Sequence, residues 1–437
     1  MTAKTAMPKK FHLAWFTNFV VDEWLAPFSA AGGNPWDGEF YLDFAKSLER
    51  ACFDYIMFED KLTIYDTYGG SMAAGLKGGI QVPKHDPAPL AAVIGAQTSN
   101  IGVVATMSTL GYPPFLLARL ATTIDHLAGG RFGWNIVTSA EDTAAQNFGL
   151  DKLYEHDLRY EMAEEYMEVV NQLFESWDPD AVVMDYENKT YADPNKVRTI
   201  DFEGKYYKCR GPLNTAPSPQ GRPTYVQAGG SPRGRDFAAM HADSIIAGVQ
   251  GNEGKRKFRE DIRQRAVKFG RNPDDIKVLF LYSAVMGETE EDAQAKFKRY
   301  AADENFLHSK LALVSGFSDI DLAQFPLDKP LPEDLTTNGE TASFARFAQL
   351  GSGKTLAEVI RDDVVDIVGT PEQVADHMAT MMEEVGGDGF LIRDQMQSIN
   401  RRTILEVTEG LVPVLQRRGL VRTEYTGNTL RETLKEF

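Results

Sequence analysis

The sequence predicts a TIM-type (β/α)8 barrel, with insertions at the C-terminal face of its strands. Short apolar runs alternate with segments of helical periodicity, four times in the first half of the chain and four times in the second. Several of these runs end in polar residues. A series of βα units builds a parallel sheet, either doubly wound or closed, and a count of eight favours closure. The 437 residues hold the roughly 250 of a barrel core with room for insertions.

The elements follow in order. Residues 11–16, FHLAWF, read as the first strand, and 17–37 as a loop of turn residues and aromatics holding Trp24 and Trp36. Leu42, Ala45, Leu48 and Cys52 share one face of a helix over 41–52. YIMFED, 55–60, is a second strand ending in Glu59 and Asp60, which are equally read as a solvated strand end. A Gly-rich loop covers 61–86, a helix 87–98, and a third strand 101–107 runs on into Ser108 and Thr109. Leu117, Leu120, Ile124 and Leu127 form the stripe of the next helix, which Gly129 and Gly130 stop. The fourth strand, 132–138, carries Asn135 and Val137 and leads to Ser139. Strands at 224–228, 244–248, 276–286 and 389–392 follow, with helices near 233–241, 254–268, 289–301 and 401–418. Residues 178–222 and 303–365 are excess to a minimal barrel, and 419–437 form a tail to a single domain spanning 1–437. Long insertions near strand ends serve as lids or as surface decoration.

Charge and composition narrow the function classes. Asp and Glu outnumber Lys and Arg by 63 to 46, a formal charge of −17, which argues against a phosphate-neutralising nucleic-acid surface. An anionic small ligand is compatible with that balance, because screening confines the field of exposed charges to about 10 Å. Cys52 and Cys209 are too few and too far apart for a disulfide framework or a thiolate metal site. No window approaches the roughly 18 apolar residues of a membrane span, and the N-terminus lacks a signal-peptide pattern, so a cytoplasmic location is expected.

Two local patterns carry chemistry. QAGGSPRGRDFAAMHAD, 227–243, sets Gly229, Gly230 and Ser231 between a strand and a helix that starts at Pro232. Free backbone N–H groups and the helix dipole make such a turn an anion site, while Ser231 as a plain N-cap needs no ligand. Tyr154, His156, Arg159 and Tyr160 open the fourth helix, with His156 and Tyr160 on one face, within reach of a phosphate or ring carbonyl or simply at a surface helix start. The seven histidines are scattered without metal-ligand spacing, and no GxSxG elbow is present.

Over nearly the whole chain, ATMSTLGYPPFLLARLATTIDHLAGGRFGWNIVTS, AAQNFG, RYEMAEEY, QAGGSPRG, IVGTPEQVADHM, GGDGFLI and RRGLVRTEYTGNTLRE resemble one family. It is the bacterial luciferase-like flavin-dependent monooxygenases, in the two-component branch of nitrilotriacetate, EDTA and dibenzothiophene sulfone monooxygenases. The resemblance implies a TIM-type barrel that takes reduced FMN from a separate NAD(P)H:flavin reductase and reacts it with O2. A flavin C4a-(hydro)peroxide then oxygenates a small organic molecule. By position, Asp60, Thr106 and Asn135 would lie near the isoalloxazine, Ser139 near its reactive face, and Val137 in the floor of the flavin site. Tyr154, His156, Tyr160, Gly230 and Ser231 would lie near the ribityl chain and phosphate, with Asn135 and Ser139 as the catalytic pair. A homodimer or homotetramer is the expected assembly. The stretch GGNPWDGEF departs from the Trp-Arg-His-Pro-like sequence of many relatives, so their substrates are not transferred. The alternatives are a deazaflavin (F420)-dependent oxidoreductase of the same superfamily and a flavin-binding barrel without catalysis.

Overall fold

A computed structural model describes residues 9–20, 36–332, 334–337, 339–351, 353–362, 365–393 and 400–437. Trp24 of the first loop lies outside them. Eight parallel strands close into a barrel: β1 (His12–Asn18), β2 (Tyr55–Glu59), β3 (Gly102–Ser108), β4 (Phe132–Val137), β5 (Thr224–Gln227), β6 (Ser244–Ala247), β7 (Lys277–Tyr282) and β8 (Gly389–Ile392), with β8 pairing back onto β1. The predicted barrel is thus the observed one. Its outer helices are α1 (Glu39–Arg50), α2 (Pro87–Gln97), α3 (Pro114–Leu127), α4 (His156–Phe174), α5 (Pro232–His241), α6 (Asn252–Lys268) and α7 (Pro371–Val385). An eighth helical segment runs through Arg401–Leu405, a π turn at Glu406–Leu411 and Val412–Arg417.

Alternation along each strand divides the core in two. Ala14, Tyr55, Met57, Val104, Val226, Ile246, Leu279 and Leu391 meet inside the barrel, while Trp15, Ile56, Phe58, Val103, Trp134, Tyr225 and Phe390 pack outward under the helices. Leu430 and Leu434, from the short helix Leu430–Leu434, join the inner cluster and form its floor. Gly102 makes room for them, since a Cβ there would stand 2.5 Å from Leu430 Cδ1. Arg422, in the segment leading to that helix, is fixed by Asp54 at 2.8 Å, and Asp54 also meets His12 Nδ1 at 2.7 Å. The guanidinium and imidazole outweigh burial and hold the Asp54 carboxyl below its ordinary range.

The seventh βα unit differs from the expectation. The run 276–286 is two strands: at Ser283, whose N–H donates to Asp366 Oδ2 at 2.9 Å, the chain leaves the barrel, and Ala284–Met286 pairs in parallel with Ile367–Gly369. The helix Glu290–Ala301 consequently belongs to the insertion, and the seventh barrel helix is α7, opened by Pro371 and a capping box of Thr370 and Gln373. Residues 303–365 hold the helices Glu304–Ser318, Thr341–Leu350 and Leu356–Asp362, with a small core around Leu307, Leu311, Leu356 and Ile360. Residues 178–222 form two antiparallel hairpins, Val182–Asp185 with Thr190–Ala192 and Phe202–Glu203 with Lys208–Cys209. Among the described residues no helix is long and apolar enough to cross a membrane.

Candidate active site

The C-terminal ends of β3 and β4 carry buried polar groups of the barrel mouth. Register pairs Thr106 with Asn135, and alternation puts both on the same face as the inward Val104. Asn135 Nδ2 donates to Thr106 Oγ1 at 2.8 Å, and both residues are buried. Among the described residues, Asn135 Oδ1 is buried without a hydrogen-bond partner. A polar atom in that state costs about 1 to 3 kcal/mol unless a ligand or water satisfies it, so it marks a place where a donor belongs. One step further on, Ser139 sits at φ 61°, a left-handed conformation unusual for serine, and its Oγ lies 2.7 Å from Ser108 Oγ. Val137, half-buried, closes β4, and its carbonyl accepts from Thr109 N at 3.0 Å.

A second group gathers where α4 meets α5. Ser231 is the N-cap of α5, with Gly234 N donating to its Oγ at 3.0 Å. His156, the first residue of α4, places Nε2 3.2 Å from the same hydroxyl, and its Nδ1 faces Asp157 at 2.8 Å. Tyr160, one turn along α4, is buried with its ring 5.1 Å from that of His156, and burial raises its phenol above the ordinary value. The turn needs glycine: a Cβ at Gly229 would collide with the carbonyl of Gly234. The Gly230 carbonyl accepts from Arg235 Nε at 2.9 Å. Tyr154 is exposed, and its carbonyl accepts from the buried Arg159 at 2.7 Å. Both observations fit a phosphorylated, ring-bearing group: a helix start with paired hydroxyl and imidazole for the anion, and an amide with a free acceptor for a ring N–H.

Asp60 directly follows β2, the strand that neighbours β3 in the barrel. Lys61 N donates to its Oδ1 at 2.9 Å. Burial raises its carboxyl to about 7; Lys84 opposes that shift, and Glu59 and Asp86 reinforce it. Beside it lie two lysines that sequence reading did not single out. Lys84 Nζ is 2.6 Å from Glu59 and 3.0 Å from Asn18 Oδ1, and Lys61 Nζ is 2.8 Å from Glu141 and 2.5 Å from Glu340. Lys61 and its two carboxylates come from three loops far apart in the chain, so no local spacing announces them. The structure thus joins Thr106 with Asn135 and His156 with Ser231 and Tyr160, and leaves Tyr154 at the rim.

The chain is similar to known proteins over most of its length. The model of a family described as luciferase-like monooxygenase matches residues 15–389. The dibenzothiophene-sulfone monooxygenase of Rhodococcus erythropolis is 36% identical over 411 residues, 91% of this chain and 89% of that protein. Component A of the nitrilotriacetate monooxygenase of Aminobacter aminovorans is 34% identical, over 94% and 92% of the two chains. The crystal structure of a riboflavin lyase with modified FMN and riboflavin is similar at a TM-score of 0.87 and 32% identity, covering 98% and 96% of the two chains.

Proposed function

This chain belongs to the luciferase-like monooxygenase family, a family of flavin-dependent oxidoreductases, and on that premise we propose that it is the oxygenating component of a two-component, FMNH2-dependent monooxygenase. The carrying observation is the buried Asn135 Oδ1, without a partner among the described residues and poised at the mouth of the barrel for a ring N–H. Thr106 fixes that amide. Val137, Ser139 and Asp60 border the same strand ends, and Tyr154, His156, Tyr160, Gly230 and Ser231 hold the phosphate side. Bound reduced FMN supplies the electrons that activate O2, and the protein orients the flavin and keeps water away from it. A relative named as component A supports a separate NAD(P)H:flavin reductase as the partner.

The test is O2 uptake driven by NADH, in mixtures lacking and containing FMN, a flavin reductase and each of a panel of small organic substrates. Oxygenated product is expected only when all are present. Turnover with reduced deazaflavin in the absence of O2 would overturn this reading. Ser231→Asp sets a like charge beside the flavin phosphate, and is expected to weaken FMN binding by at least about 1 kcal/mol in a flavin titration. An unchanged titration removes the phosphate assignment.

A further inference from the structure

The two lysines at the strand ends are both engaged by carboxylates of the protein itself. Lys84 is bound by Glu59, and Lys61 by Glu141 and Glu340 together, with side chains of Lys61 and Lys84 only 15% and 4% exposed. The Lys61 clasp is more than local pairing. It joins the end of β2, the loop that follows Ser139, and the residue preceding the insertion helix Thr341–Leu350. Ala140 N donates to the other Glu141 oxygen at 3.2 Å, so the clasp also fixes the backbone next to Ser139. Asp60 and Asp86 remain beyond these pairs, with Asp86 accepting from Tyr112 OH at 2.9 Å and facing Asp60. Arg159 is bound to the Tyr154 carbonyl and also feels the charge of Glu141. On the Asp60 side Glu59, Glu141, Glu340 and Asp86 thus outnumber Lys61 and Lys84, with Asp60 adding charge only above about pH 7, whereas on the Ser231 side Arg233 and Arg235 offset Glu164 and Asp261.

We propose that the Asp60 side of the mouth admits uncharged or cationic substrates and turns away those that carry a carboxylate. The inference rests on the reading of this mouth as the flavin site. An incoming carboxylate meets fixed negative charge in a partly desolvated place, where like charges repel more strongly than in water. Among the described residues, the two ammonium groups that would answer it are already paired. Freeing Lys61 would leave Glu141 and Glu340 close together without their counter-charge.

The filter is measurable without knowing the natural substrate. FMN-loaded protein is mixed in stopped flow with dithionite, whose reactive species is an anion, or with reduced methyl viologen, a radical cation. Each rate is divided by that for free FMN in the same buffer. The anionic probe is expected to fall at least about tenfold behind the cationic one at low salt, as a potential of several kT requires. Glu340→Gln and Glu141→Gln, each removing one negative charge from the clasp, are expected to narrow the gap about threefold. Glu187→Gln, on the exposed turn of the Val182–Asp185 hairpin, controls for net charge and is expected to leave it unchanged. Equal rates for the two probes, or an equal response in the hairpin variant, overturn the proposal. In the complete oxygenating mixture, a thioether methyl ester is expected to be consumed at least about tenfold faster than its free acid, and an acid consumed as fast also overturns it. Absence of FMN binding in the preceding titration overturns the flavin reading, and this inference with it.

Discussion

Asp60 has a protonation set by its place in the fold. Its carboxyl titrates near 7 in the folded protein against an ordinary value of 3.8, chiefly because it is buried. Between those two values the folded chain holds a proton that the unfolded chain has released, so this residue's contribution to stability falls as pH rises through the window. Asp60→Asn is accordingly expected to gain stability relative to the parent as pH climbs from about 4 to about 7. Paired thermal melts check this, and a difference that stays flat across the window refutes it. Asp60 and Asn135 were legible in sequence for the same reason: each is a polar residue within or just after an apolar strand run. The free state of Asn135 Oδ1 was not legible, because it depends on what β3 and the neighbouring strands set around it.

At the scale of elements, the turn and the clasp make contrasting demands. Gly229 is specified locally, by a turn with no space for a Cβ. Lys61 is specified by partners 80 and 279 residues away. Lys61→Met leaves two carboxylates facing each other, a loss of about 1 to 3 kcal/mol for a pair that is only partly buried. Its expected signature is faster limited proteolysis within 303–365, with cleavage of the hairpin segment 178–222 unchanged. Equal acceleration in both segments would mean general destabilisation instead. The same long-range dependence explains where sequence reading went astray. Glu290–Ala301 has helical periodicity and follows a strand, so it reads as the seventh barrel helix. Only the pairing of Ala284–Met286 with Ile367–Gly369 assigns it to the insertion and gives that role to Pro371–Val385.

For the whole molecule, eight apolar runs with interleaved helices were enough to imply the barrel, since each unit carries its own signal. What fills the barrel was not legible, because Leu430 and Leu434 lie in a short segment whose apolar residues look unremarkable until the glycines at 102 and 133 are seen across from them. Leu430→Ala is expected to cost about 2 to 5 kcal/mol by opening a cavity at the floor. FMN affinity should be untouched, because the mouth lies at the opposite end of the strands. Denaturant melts and flavin titration read the two effects separately, and a joint loss would contradict the separation of floor from mouth.

That floor also orders events during synthesis. The ribosome releases β8, and with it the means to close the ring, before it has made Leu430 and Leu434. Every newly made molecule therefore passes through a stage in which all eight strands exist and the hole they surround has no stopper. Until Arg422 and Asp54 come together, the apolar lower barrel is the surface a chaperone or a neighbouring nascent chain would meet.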